Sequence, residues 1–358
     1  MEVAVVGPLS AEQSGPQQVT LGLAEGYDRL GHSVQILAYG NSVSETHRGI
    51  PVIDIGPQVD SVRKLYSIGE RVDDYADDYD IVHASNGLTC PVDICTVQWA
   101  GTGLDLLRDD QYDQKVNLPR LSGETSRVGA RLDWINDHEL VVAQSHLTAR
   151  QMQEYWQCRP DRVIPLGVRH RQLSAPTTPT QPLDVVLPGR VSPKKGQHRV
   201  VNHLDNDPNN ISLDIVGRVS DAAELSDAEV PGRLRGYLPS EEYYGALSRS
   251  DICVVPSYHE NFSLTAMESM ACGSVLVVTD SCGIAHDEKI ATLPGVVVVE
   301  DGRTAAQQVR RLSSKSVNKL FEYKKSCYDF ASGHTWSTIA ERYIQAYRSN
   351  SKVNRHEI

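Results

Sequence analysis

The sequence predicts an α/β protein made of two doubly wound parallel-sheet domains, and three observations carry that expectation. The chain has 358 residues, more than one usual domain and enough for two of roughly 170 residues that each bury a core. Short β-branched runs alternate with segments of helical spacing along its length. Near the middle a Pro/Thr stretch, APTTPTQP at 175–182, interrupts the alternation. It can form neither helix nor central strand, so it reads as a linker.

The elements follow in order. Val3 to Val6 is a β-branched run, a Ser/Gly/Pro loop continues through Pro16, and Val19 to Leu30 has helical spacing ended by Gly31. Ser33 to Leu37 and Val52 to Ile55 read as strands, Val62 to Tyr75 as a helix, and Asp80 to His83 as a further strand. The run RVIPLGVRH around residue 168 is strand-like and ends this half. Beyond the linker the rhythm restarts. Strands are expected at Asp184–Leu187, Ser212–Val216, Ile252–Val255, Val275–Val278 and Val296–Val299, with helices at Gln197–Leu204, Ser240–Leu247 and Leu264–Ala271. The expectation is therefore two Rossmann-like domains, 1–168 and 183–330, followed by a terminal helical segment at 331–350. Open parallel sheets bind ligands beyond the C-terminal ends of their strands, so two of them are expected to face a central cleft.

Composition narrows the function. With 40% hydrophobic and 23% charged residues the chain falls in the ordinary globular range. The start, MEVAVVGPLS, has neither the basic region nor the apolar stretch of a signal peptide, and no run approaches the ~20 apolar residues of a membrane span. A cytoplasmic location is expected. The seven cysteines show no zinc or disulfide-scaffold spacing and read as free thiols. The net charge of -11 is concentrated in residues 1–168, which hold 13 Lys and Arg against 24 Asp and Glu. Nucleic acid is therefore an unexpected partner. Peripheral membrane contact is open but not indicated by charge.

The segment SDICVVPSYHENFSLTAMESMACG concentrates the chemistry. A strand ends near Pro256, a loop holds Tyr258 to Phe262, and a helix begins near Ser263 with Asn261 or Ser263 as its cap. Leu264, Met267 and Ala271 mark an apolar helix face, and Glu268 occupies the same face. A carboxylate so placed must find donors, and sugar or ribose hydroxyls would serve. The free amides around Phe262, Ser263 and Leu264 form an anion site of the kind a diphosphate needs. Two Glu residues eight positions apart are weak evidence alone, because a solvated loop charge and a structurally paired Glu would give the same spacing.

The whole string resembles the signature of glycosyltransferase family four, a retaining family of glycosyl transferases group 1 that includes glycogen synthase-like and mannosyltransferase-like enzymes. The resemblance implies the GT-B architecture, with Glu260 at the transferred sugar, Glu268 at the ribose, and the amides of Phe262 to Leu264 at the diphosphate. Asn261 and Ser263 stand where the family usually has glycine, and Ser269 where it commonly has Ala.

Other motifs point the same way. LPGRVSPKKG places Arg190 and Lys195 in a turn where two cations would neutralise a departing diphosphate, and it resembles the family's G-R-x-x-x-x-K-G; Lys194 beside Lys195 leaves the acting lysine open. Gly15 matches the glycine loop facing donor and acceptor, with Ser14 in place of a second glycine. His83 in DIVHAS matches a recurrent strand end, where a histidine is commonly structural. Gln98 and Trp99 lie where many relatives carry His or Asp near the reacting sugar. Tyr237 and Leu238 fall where the base is held, through backbone or stacking. TWSTIAERYIQAY, with Trp336, resembles the terminal helix that crosses back to the first domain.

The expected function is transfer of a hexose-type sugar from a UDP- or GDP-sugar to a hydroxyl acceptor, with retention implied by the resemblance; the acceptor is a glycan, a lipid-linked molecule or a small molecule. Cations and amides can serve the diphosphate, so no metal or cofactor is expected. The alternatives are an epimerase or phosphorylase on the same fold, or a non-catalytic nucleotide-sugar-binding protein.

Overall fold

The computed structural model describes residues 1–9, 15–40, 45–98, 129, 131–204, 210–219 and 233–350. These fall into two compact units, one drawn from 1–103, 115–167 and 335–358 and the other from 168–334.

The first unit is a sheet of β1 (Glu2–Pro8), β2 (Ser33–Tyr39), β3 (Thr46–His47), β4 (Ile50–Gly56), β5 (Ile81–Ala84), β6 (Ile94–Val97), β7 (Leu140–Ala143) and β8 (Arg162–Val163). Their spatial order is β3-β4-β2-β1-β5-β6-β7-β8. Only β3 and β4 pair antiparallel among the described strands; the other neighbours run parallel. Central strands such as β1 and β7 are near-continuous in Val, Ala and Leu because helices cover both faces, and their apolar side chains are buried. Helices α1 (Gly15–Arg29), α2 (Val62–Ala76) and α3 (His146–Trp156) belong to this unit. Ser61 and Ser145 cap the latter two by accepting from the amides of Lys64 and Thr148.

The second unit is a sheet of β9 (Leu183–Pro188), β10 (Ile211–Val216), β11 (Arg233–Gly236), β12 (Ile252–Val255), β13 (Val275–Thr279) and β14 (Val296–Val299). All described pairings are parallel, in the order β11-β10-β9-β12-β13-β14. Numbered within the unit, that is 3-2-1-4-5-6, the doubly wound order whose direction reverses between β9 and β12. Around it lie α4 (Gln197–Val201), α5 (Ser240–Arg249), α6 (Leu264–Ala271), α7 (Glu288–Ala291), α8 (Gly302–Ser313) and α9 (Val317–Ser332). Its core joins Leu183, Val185, Ile215, Ile252, Val254 and Val277 of the strands to Val200, Ala305, Val309 and Leu320 of the helices. The chain then returns to the first unit as α10 (Trp336–Arg348). Gly22 of α1 makes room for it, because a Cβ there would lie 2.1 Å from Cε2 of Trp336.

The structure corrects several sequence readings. The loop expected through Pro16 is shorter, since α1 already includes Gly15 and Pro16. Proline fits the first turn, where its missing N–H has no intrahelical partner. The helix expected over 197–204 ends at Val201 and follows a 3-10 turn at Pro193–Lys195. RVIPLGVRH is strand only at Arg162–Val163. Residues 175–182 belong to the second unit, and just before them the amide of Ser174 donates to the Ala271 carbonyl of α6. The strands β6 and β7 were not expected; β6 is only four residues long and follows a stretch without periodicity.

Candidate active site

The reversal between β9 and β12 sets two loops side by side at the C-terminal edge of the second sheet. The loop after β9 carries Arg190 and the turn to Lys195 and Gly196; the loop after β12 carries Ser257 to Ser263. Gly196, at φ 67°, lets them meet, since a Cβ there would lie 2.2 Å from the Pro256 carbonyl oxygen. The amide of Tyr258 also donates to the Lys194 carbonyl at 2.9 Å.

The Lys195 ammonium donates to Oε1 of Glu260, which also accepts from Ser257 Oγ at 3.3 Å. Burial alone would push the Glu260 carboxyl up, but Lys195, with Lys194 and His259 adding to it, holds it below the ordinary carboxylate range. Its backbone is fixed on both sides, the amide donating to Ser281 O at 3.2 Å and the carbonyl accepting from Gly283 N at 2.7 Å. Since the folded pKa is depressed, the pair stabilises the fold above the ordinary carboxylate range and loses that contribution as pH falls through and below it. Arg190 is exposed on the same turn, its carbonyl accepting from Nε2 of Gln197 at 3.1 Å.

At the start of α6, Ser263 is the cap and accepts from the Ala266 amide at 3.4 Å. Among the described residues none accepts a hydrogen bond from the amides of Phe262, Ser263 or Leu264. Those three donors sit at the positive end of the helix dipole. The backbone of Ser263 has φ 96°, a conformation that costs a residue with a Cβ about 1–2 kcal/mol. This explains why glycine suits the position. Ser263→Gly is expected to stabilise the protein by about 0.5 kcal/mol, because relief of strain outweighs the loss of the cap and the added freedom of the unfolded chain. Ser263→Ala keeps the strain, loses the cap and is expected to destabilise by about 1 kcal/mol. Opposite signs in urea denaturation check the pair.

Glu268 lies farther along α6 and is 8% exposed. Its Oε1 accepts from Tyr244 OH at 2.8 Å and Gln172 Nε2 at 3.4 Å, and its Oε2 from Tyr243 OH at 3.4 Å. Burial raises its pKa above the ordinary range, against the opposing pull of Tyr244, Arg169, Tyr243 and Gln172. Gln172, Tyr243 and Tyr244 were not expected from the sequence. Gln172 is 96 positions from Glu268, and no periodicity links them.

The remaining candidates fall elsewhere. Tyr237, after β11, is exposed with the Arg218 guanidinium 5.9 Å from its ring centroid, and Leu238 beside it is half-buried. Gly15 begins α1, and no described residue comes within 4 Å of where a Cβ would project. Inside the first unit, His83 is fully buried, and burial lowers its pKa to about 3. Its Nδ1 pairs with Tyr27 OH at 2.9 Å and its Nε2 with Thr96 Oγ1 at 2.8 Å, and Thr96 bonds Tyr343 of α10 at 3.0 Å. That is a neutral histidine tying α1, two strands and α10 together. Gln98 is buried, its Nε2 donating to Ser85 O and its backbone carbonyl accepting from Gln144 Nε2 at 2.7 Å. Trp99 lies outside the described residues. Among the described residues no group of three His, Cys, Asp or Glu side chains could hold a metal, and no helix is long and apolar enough to cross a membrane.

Known proteins resemble this chain in sequence and in fold. Residues 169–326 match the family model "Glycosyl transferases group 1". A D-inositol 3-phosphate glycosyltransferase of Thermobispora bispora is 24% identical over 311 residues, covering 75% of this chain and 70% of the relative. Among solved structures, sucrose-phosphate synthase from Thermosynechococcus elongatus superposes with TM-score 0.74 at 17% identity, covering 97% of this chain and 98% of that one. The Anabaena Alr3699/HepE complex with UDP-glucose gives TM-score 0.71 at 16% identity, covering 98% and 100%. The match over residues 169–326, the relative and the shared fold together support a transferase enzyme with the GT-B fold.

Proposed function

We propose that the protein transfers a hexose-type sugar, with retention, from a nucleoside diphosphate sugar to a hydroxyl acceptor. One observation carries this reading: Glu260, paired with Lys195, lies shortly before a helix start with three amides that no described residue accepts from, on the same segment as the buried Glu268. In this reading Lys195, Arg190 and the amides of Phe262 to Leu264 take the diphosphate, whose charge grows as the glycosidic bond breaks. Glu260 holds the sugar, Glu268 the ribose, and Tyr237 with Leu238 the base. Gly15 and the first unit serve the acceptor side. UDP is proposed as the nucleotide over GDP, because the Alr3699/HepE structure of the same fold holds UDP-glucose.

When the diphosphate draws Lys195 toward itself, Glu260 loses its partner in the same step and turns its free lone pairs to the sugar hydroxyls. Donor binding and sugar positioning are thereby coupled through one ion pair. The test incubates the enzyme with UDP- and GDP-sugars and a panel of hydroxyl acceptors, measuring nucleotide release and, by NMR, the anomeric configuration of the product. Release of UDP that requires acceptor, with the donor's configuration kept, is the expected result. Conversion of the donor without acceptor would instead show an epimerase or phosphorylase, and saturable binding without turnover a non-catalytic protein.

A further inference from the structure

Glu268 is held by donors from two separate stretches of chain, and the two carboxylate oxygens are treated differently. Oε1 receives both Tyr244 OH, at 2.8 Å, and Gln172 Nε2, at 3.4 Å, which fill its two lone pairs. Among the described residues Oε2 receives only Tyr243 OH, at 3.4 Å, and a single donor leaves one of its lone pairs over.

The orientation of Gln172 is itself fixed. Its Oε1 accepts from the Arg169 amide at 2.7 Å, so its Nε2 must turn the other way, toward Glu268 and Tyr244. Tyr244 OH accepts from that Nε2 and gives its single proton to Glu268, so the three groups close a circuit in which every donor has one use. The stretch bearing Gln172 is anchored to the end of α6, where Cys272 Sγ donates to Gln172 O at 3.3 Å and Ser174 N to Ala271 O at 3.0 Å. A circuit tied at both ends holds the carboxylate plane at one angle.

We propose that Tyr244 and Gln172 are positioning residues that saturate Oε1 of Glu268 and present Oε2 to the hydroxyls of the nucleotide ribose, which displace the long contact from Tyr243. This inference rests on the reading of Glu268 as the ribose-binding carboxylate. It gives the Tyr-Tyr pair of α5 divided duties: Tyr244 is a fixed brace, and Tyr243 covers the ligand-facing oxygen until the ligand arrives.

The charged and titratable groups around Glu268 are Tyr243 and Tyr244 of α5, Arg169 of the segment before the linker, and Cys272 at the end of α6. Of these, the Tyr244 hydrogen bond is the strongest influence holding the Glu268 carboxyl down against burial. Losing it raises the pH at which the carboxylate protonates and stops accepting ribose hydroxyls.

The test is calorimetric titration of the full-length protein with UDP, from pH 5 to 8, for wild type, Tyr244→Phe, Gln172→Ala and Glu268→Ala. Tyr244→Phe keeps the ring and Gln172→Ala acts from the other side, so the two do not share a folding risk. Each is expected to weaken UDP about tenfold, the size of a lost hydrogen bond to a charged group, with kcat at saturating donor changed less than threefold. The acid limb of UDP affinity is expected to move to higher pH in Tyr244→Phe; titration of the UDP phosphate itself is common to all variants and cancels in the comparison. If Glu268→Ala weakens UDP while Tyr244→Phe and Gln172→Ala bind as wild type with an unmoved acid limb, the positioning role is overturned and the ribose reading stands. If Glu268→Ala binds UDP as wild type does, the ribose reading itself is overturned.

Discussion

Replacing Glu260 with Ala is expected to lower kcat about 100-fold, the scale of removing one preorganised transition-state contact, while UDP affinity stays within about threefold of wild type. In the free protein Glu260 is paired with Lys195, so deleting the carboxylate releases that lysine instead of stranding a buried charge. The nucleotide therefore keeps its cation. What disappears is the acceptor for the sugar hydroxyls, and the loss is felt when the sugar ring must be held as its bond to the diphosphate breaks. Lys195→Ala is expected to differ, because it strands Glu260 half-buried without its main partner and removes a phosphate ligand, so both UDP affinity and kcat fall. Steady-state kinetics together with UDP titration separate the two variants, and an equal fall in UDP affinity for both would contradict these assignments.

The largest expected effect on stability lies at the opposite edge of the same sheet. Lys324 of α9 is 1% exposed and donates to Oδ1 of Asp251 at 2.7 Å, while Asp251 Oδ2 accepts from the Asp184 amide at 3.1 Å. The ammonium also reaches Thr177 Oγ1 at 3.5 Å. One ion pair thus ties α9 to the starts of β9 and β12 and to the stretch at 175–182. Lys324→Ala leaves a buried carboxylate with only a backbone donor, which costs about 3–5 kcal/mol, or roughly 10 °C in Tm for a unit of this size. Lys324→Met with Asp251→Asn removes both charges and is expected to recover a large part of that loss. Thermal and urea denaturation check both. Equal destabilisation by the single and double variants would mean that packing, and not the stranded charge, sets the cost.

Strong local signals made much of the fold legible. Valine-rich runs such as those of β1, β12 and β13 are buried on both faces, and only a parallel sheet between helices asks for that pattern. The start of α6 was readable because a cap, an apolar face and a carboxylate on that face coincide in one short segment. The strands β6 and β7, four residues each, were missed.

The candidate site was legible only where its parts are close in sequence. The contact between Lys195 and Glu260 joins residues 65 positions apart, and no spacing rule finds it. Ser263 was noticed as a departure from glycine, but its backbone conformation appears only in the structure. The partners of Glu268 come from α5 and from residue 172, and no spacing rule joins them. His83 shows the reverse limit: its neighbours along the chain suggested a strand-end site, whereas Tyr27, Thr96 and Tyr343 hold it neutral in the core.

Titration of UDP into wild type and Glu268→Ala tests whether the segment from Lys195 to Glu268 is a nucleotide-sugar site. Wild type is expected to bind UDP saturably at one site, and Glu268→Ala to bind it at least about tenfold more weakly, the scale of losing hydrogen bonds to a charged group. A wild-type protein that binds no nucleoside diphosphate, or a Glu268→Ala variant that binds UDP as tightly as wild type, would contradict that assignment.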